Sequence, residues 1–262
     1  MSIVKEYAGH VLIGTPLESP ARGLRGMLQL PQLWKTPELK EVFVEPTRID
    51  QVMDRVIQDP MNCIDVGCHL GAMINRIKRL SPHGKHIAIE PLPHKANWLK
   101  RKYPDVEVHQ MALSDTTGEV EFYYQPTRSA YSGLRLNGSG DEKFELIRVK
   151  SMPLDDLVPS DRQIGYIKVT VEGAELSVLR GSQKMLERSH PTILLDCISK
   201  ELEVFGVFPK DIYDFLVHKH NYSIFLLKDF LNNGNPLSYE SFFQAMQYPF
   251  QAFRFVAVYK SM

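Results

Sequence analysis

Apolar positions along this chain change their period repeatedly, and each change predicts an element. Between Arg48 and Ile57 the apolar Ile49, Val52, Met53, Val56 and Ile57 recur at helical spacing, which predicts an amphipathic helix ending near Asp59-Pro60. Residues 62–66 are a short apolar run that reads as a strand, and a helix over Gly71–Leu80 follows, stopped by Ser81-Pro82 and Gly84. The alternation repeats with a strand at Lys85–Ile89, a helix at Pro93–Lys102 with proline in its first turn, and a strand at Val106–Leu113. It resumes with strands at Ile164–Val171 and Thr192–Ile198, helices at Ala174–Glu187 and Pro209–His220, and closing strands at Tyr222–Leu227 and Phe253–Tyr259. Strands separated by single helices predict βαβ units. The expectation is an α/β fold: a doubly wound, mostly parallel, seven-stranded, Rossmann-like sheet with an antiparallel final strand.

The middle of the chain breaks this rhythm. Glu119–Gln125 and Leu146–Lys150 read as strands flanking a Gly- and Ser-rich loop insertion at 126–141, and 228–250 reads as a second long loop. Loops this long in a compact domain are usually functional. Residues 1–46 are rich in Gly and Pro and read as an N-terminal arm or lid on an α/β core at 47–262, the whole of 1–262 being one domain.

Composition narrows the class of protein. The 262 residues are 44% hydrophobic and 24% charged, ordinary globular usage. Lys plus Arg and Asp plus Glu are both 31, so no basic excess suggests nucleic acid as a partner. Cys63, Cys68 and Cys197 form no disulfide framework, no stretch reaches the length of a membrane-spanning helix, and the first residues lack a signal-peptide pattern. A cytoplasmic protein is expected, with no membrane partner. A homo-oligomer is compatible with the sequence.

The chemistry concentrates at the strand ends. The first strand runs into Asp65-Val-Gly67-Cys-His69-Leu-Gly71, where Gly67 permits a tight turn and the next helix offers unpaired N–H groups. A dinucleotide site would place glycine at 65, 67 and 70; here Asp65 and Leu70 occupy two of those positions. An acid there suits a ligand with a cationic head better than a pyrophosphate. The second strand ends in Glu90-Pro91, an acid placed to accept ribose hydroxyls, and the third ends in Ala112-Leu113-Ser114-Asp115, where an adenine would lie. The ordered set describes S-adenosylmethionine (SAM), with Asp65, Gly67, His69, Gly71, Glu90, Pro91, Ala112, Leu113 and Ser114 as its candidate binding residues.

These runs, together with Leu154-Asp-Asp-Leu157 and Lys168-Val-Thr-Val-Glu172-Gly-Ala-Glu175-Leu176, resemble the FkbM family of SAM-dependent methyltransferases over about residues 60–198. The resemblance implies the class I methyltransferase fold and, commonly, methylation of a hydroxyl on a sugar or natural product in biosynthesis. Two positions depart from the family: Thr170 stands where an Asp is usual, and Asp196 where a Glu is usual.

The end of the fourth strand should face the transferable methyl. Glu172, Lys168 and Asp196 are the candidate catalytic residues, with Glu172 the first candidate to take a proton; Tyr131, Ser132 and Thr170 are candidate substrate contacts. Bland readings stand beside these. Glu172 fits equally as a helix-start acid, His69 as a spacer in its turn and Cys68 as a small filler. Lys95, Lys100, Arg101 and Lys102 read as a solvated helix face, and Phe205, Phe208, Phe215, Phe225 and Phe230 as core. The histidines form no metal set, and no metal is expected. The expected activity is SAM-dependent O-methylation of a small polyhydroxylated acceptor. The alternatives are an N-methyltransferase of the same fold, a non-catalytic SAM-binding protein and, less favoured because of the missing glycines, a nicotinamide oxidoreductase.

Overall fold

The computed structural model describes residues 7, 10–15, 17, 36, 39–126, 129, 132–135 and 144–260. Helix α1 (Lys40–Val56) leads into β1 (Cys63–Val66), α2 (Ala72–Leu80), β2 (Ile87–Ile89), α3 (Pro93–Lys102) and β3 (Glu107–His109). Three short strands follow, β4 (Ala112–Leu113), β5 (Gly118–Tyr124) and β6 (Glu145–Met152), then the helical turn α4 (Leu154–Leu157) and β7 (Tyr166–Val169). The remainder comprises α5 (Glu175–Arg180), α6 (Gln183–Ser189), β8 (Thr192–Asp196), α7 (Ser199–Val204), α8 (Pro209–Tyr213) with π-helical turns over Asp214–Lys219, β9 (Tyr222–Leu226), α9 (Leu227–Leu231), α10 (Tyr239–Ala245) and β10 (Arg254–Tyr259).

The main sheet has seven strands in the order β3-β2-β1-β7-β8-β10-β9, parallel except where β10 runs antiparallel to β8 and β9. This is the doubly wound sheet with an antiparallel last strand that the sequence pattern predicts. Strand side chains alternate in facing, so Ile64 and Val66 pack on one face while Cys63 and Asp65 point to the other. The first face is covered by α5 to α8 and α10 through Leu176, Val178, Met185, Leu202, Ile212 and Phe242. The second is covered by α1, α2 and α3 through Val52, Met53, Ile74, Ile77 and Leu99. Among the described residues no helix is long and apolar enough to cross a membrane.

Several boundaries differ from the sequence expectation, each for a physical reason. The Val106–Leu113 strand divides: β3 stays on the main sheet, while β4 leaves it to pair in parallel with β6, forming a second sheet in the order β4-β6-β5. The β5–β6 hairpin pairs Gly118 with Ser151 through Tyr124 with Glu145. Helix α1 starts eight residues before the expected Arg48 and runs through Pro46. Tertiary contacts override the local breaker there, because buried Glu45 accepts the N–H groups of Phe253 and Arg254 at 2.8 and 3.1 Å. The expected Ala174–Glu187 helix breaks at Gly181-Ser182, where Gly181 passes so close to the Ser114 carbonyl that a Cβ would sit 2.2 Å from its oxygen. The segment 228–250 is not a plain loop. It holds α10 and the end of α9, and Phe242, Ala245 and Met246 join the core. Phe208 is 59% exposed, against its expected core role, and among the five named phenylalanines only Phe215 is fully buried.

Candidate functional site

A cavity of about 880 Å³ opens at the carboxyl ends of β1, β2, β7 and β8. Its wall includes Gly67, His69, Glu90, Pro91, Ala112 and Leu113 on one side. Ser132, Lys168, Thr170, Glu172 and Asp196 line the other. The sequence thus brings eleven of its fifteen candidate residues to one cavity. Asp65, Gly71 and Ser114 stand back from the wall, and Tyr131, like the loop residues Arg128 and Asn137, lies outside the described residues.

The turn after β1 explains its glycines. Gly67 adopts φ +73, and a Cβ there would lie 2.0 Å from the Thr170 carbonyl oxygen, so both conformation and space require glycine. Gly67 and Cys68 donate their N–H groups to the Ile89 carbonyl at 3.0 and 3.1 Å, which ties the turn to the end of β2. Gly71 serves packing: a Cβ there would meet Tyr103 and Leu99 of the α3 region at 2.6 and 2.7 Å. Asp65 has no exposed surface and faces the Lys168 ammonium at 3.3 Å. Burial pushes its carboxyl up, and the Lys168 charge opposes that. Lys168 also donates to the Gly67 and Val66 carbonyls at 2.8 and 3.2 Å. The pair therefore braces the β1–β7 junction, which replaces the expectation that Asp65 itself faces a ligand.

Glu90 sits at the end of β2, 4% exposed. Its carboxylate accepts the N–H groups of His69 and Leu92 at 2.8 and 3.0 Å. Burial pushes it up to about 7, opposed first by the charge of Lys95 and then by those two N–H groups. Lys95 corrects the sequence reading: Lys100 and Arg101 are exposed, but Lys95 is 1% exposed and lines the cavity. Its ammonium donates to the Ser129 hydroxyl at 2.7 Å, and the same hydroxyl lies 3.2 Å from Nε2 of His69.

The opposite end is acidic. Glu172 adopts φ +55, a left-handed conformation that non-glycine residues favour little and that clusters at functional sites. It precedes helix α5, whose first residue is Glu175, so the helix-start role belongs to Glu175. Burial together with the charges of Glu201, Glu175 and Asp196 pushes Glu172 up to about 9. Glu175, which accepts the Val171 N–H at 3.0 Å, is pushed up to about 8, and Glu201 to about 7, chiefly by burial. Asp196 is held by Nε of Arg254 at 3.1 Å, and Arg254 is held in turn by Glu45 at 3.2 Å. The Thr170 hydroxyl is buried in this wall with no hydrogen-bond partner among the described residues. Among the described residues no three His, Cys, Asp or Glu side chains are arranged to hold a metal ion.

Sequence reasoning missed Glu45, Arg254 and the buried state of Lys95. Glu45 and Arg254 are 209 positions apart, and no local pattern marks either.

The residues present fit SAM. A buried carboxylate with paired N–H donors closes β2, a hydroxyl unpartnered among the described residues lies in the wall, and the volume falls within the range of ordinary ligand pockets. Residues 65–224 match the Methyltransferase FkbM domain. The chain is 26% identical over 182 residues to Methyltransferase sdnD of Sordaria araneosa, covering 56% of this chain and 68% of that protein. It is 25% identical over 238 residues to AMB antimetabolite synthetase AmbE of Pseudomonas aeruginosa, covering 74% of this chain but only 11% of that much longer protein. It also resembles the crystal structure of Methyltransferase FkbM from Methylobacillus flagellatus, with a TM-score of 0.48 and 16% identity over 77% of this chain and 44% of that one.

Proposed function

Because the chain belongs to the FkbM methyltransferase family, we propose that it methylates a hydroxyl of a small polyhydroxylated acceptor, a sugar or a natural product. The family is SAM-dependent, and SAM when bound supplies an activated methyl on a cationic sulfur. Glu90 accepts the ribose hydroxyls in this reading. Gly67, His69, Pro91, Ala112 and Leu113 surround the nucleoside, with Asp65, Gly71 and Ser114 supporting them from behind.

The observation that carries the choice of a hydroxyl is Glu172. A hydroxyl must lose a proton as its oxygen is alkylated, whereas a neutral amine attacks through a free lone pair. A carboxyl pushed up to about 9 has high affinity for that proton. A cation bound beside Glu172 lowers that affinity, so the carboxylate forms nearer neutrality once the donor is in place. Asp196, neutralised by Arg254, is the weaker candidate for the proton. Lys168, committed to Asp65 and two carbonyls, orients the end of β7. Thr170 and Ser132 contact the acceptor in this reading. Residues 1–262 act as one methyltransferase domain in this reading.

The second reading is N-methylation. The excess of carboxylates over cations around Glu172 favours it, because such a wall would also hold an ammonium group. Incubation with methyl-labelled SAM and matched panels of polyols and amino sugars separates the two. Label in an ether supports the proposal, label on nitrogen supports the second reading, and no transfer to any acceptor points to a non-catalytic SAM-binding protein.

A further inference from the structure

Lysine is almost never fully buried unless paired. Lys95 is buried to 1% exposure and lines the same cavity as the carboxylate that closes β2. Its ammonium donates to Oγ and the carbonyl of Ser129 at 2.7 and 3.4 Å. The Ser129 hydroxyl touches the His69 ring, and the His69 N–H is one of the two that grip Glu90. The chain of contacts thus runs from Lys95 through Ser129 and His69 back to Glu90.

We propose that Lys95 is a cofactor-positioning residue whose buried ammonium keeps Glu90 charged, and so able to accept both ribose hydroxyls, while fixing the His69 turn through Ser129. This rests on the reading of Glu90 as the ribose acceptor. A protonated carboxyl turns one oxygen into a donor and loses half of that acceptor pair. Among the described residues, four elements carry the groups facing Glu90. Lys95 on α3 and Lys168 on β7 oppose its protonation, Cys68 and His69 flank it in the β1–α2 turn, and β3 meets it through the His109 carbonyl at 3.1 Å from the Glu90 nitrogen. Of the two cations, Lys95 has the larger effect.

The test is calorimetric titration of S-adenosylhomocysteine (SAH), which carries the same ribose, from pH 6 to 9. Wild-type affinity should rise with pH as Glu90 ionises and then level off. Lys95→Met should move the midpoint upward by about one pH unit, weakening SAH roughly fivefold to tenfold at or below pH 7 and little at pH 9. Lys95→Arg should restore the wild-type midpoint. A merely structural role would weaken binding equally at every pH. A wild-type affinity flat from pH 6 to 9 would overturn the proposal even if Lys95→Met does not fold. So would a Lys95→Arg midpoint displaced upward. Glu90→Ala separates the two readings. If it leaves SAH affinity unchanged, the ribose reading fails and this proposal with it. If it weakens SAH while Lys95→Met keeps the wild-type midpoint, only this proposal fails.

Discussion

Glu90 and Glu172 close opposite sides of one cavity, and burial pushes both upward. Their neighbours differ. Glu90 has a lysine and two N–H groups and reaches only about 7. Glu172 faces Glu201, Glu175 and Asp196 and reaches about 9. Burial among different neighbours therefore yields two kinds of carboxyl, one that loses its proton near neutrality and one that keeps it to about 9. Opposed environments of this kind assign roles to paired acids. The Glu90 side surrounds one carboxyl with a lysine and two N–H donors. The Glu172 side gathers carboxyls that raise one another's affinity for a proton.

The comparison breaks most visibly at Glu172. Glu172→Gln should lower turnover by at least tenfold, and by up to about 10²–10⁴-fold if it is the sole base. In wild type, kcat/KM should rise with pH through a midpoint near 9, because the ionised form is the active one. A flat profile together with full turnover in Glu172→Gln would assign the reaction to positioning alone.

A smaller effect is expected on the other side. Glu90→Ala leaves ribose hydroxyls unpaired and should weaken SAH by about 1–3 kcal/mol. Unchanged affinity in a folded variant would remove the ribose from that end of the cavity.

The smallest effect concerns stability. Glu172 titrates at about 9 when folded, above its ordinary 4.5, so the folded state binds the extra proton between those values. Its contribution is fully present below about pH 4.5 and is lost as pH rises through about 9. Glu172→Gln should therefore melt like wild type at pH 5 but higher at pH 9, by roughly 2–4 °C for each kcal/mol relieved. Equal melting temperatures at pH 9 would mean that neither burial nor the neighbouring acids raise Glu172.

Local signals found the frame of this site. The alternating strands, Gly67 in its forced turn and the acid closing β2 all announce themselves within a few residues. What escaped depended on distant partners. Lys95, Lys100, Arg101 and Lys102 look alike along the sequence, and the buried one is distinguished by partners such as Ser129, 34 positions on. Glu45 lay in a stretch read as an arm, and its partner Arg254 is 209 positions away. One miss did carry a signal: Phe242, Ala245 and Met246 have helical spacing inside the segment read as a loop. The Glu172 turn could not be read as left-handed, because nothing in Val171-Glu172-Gly173 forces the strain onto the glutamate rather than the glycine alone.

The division of the cavity into a cofactor side and a proton-holding side is tested most directly by SAH titration of wild type, Glu90→Ala and Glu172→Gln at pH 8. The account predicts that Glu90→Ala weakens SAH by about fivefold or more while Glu172→Gln binds it as wild type does, although both lose turnover. Wild-type affinity in Glu90→Ala, or an equal loss of SAH affinity in both variants, would contradict it.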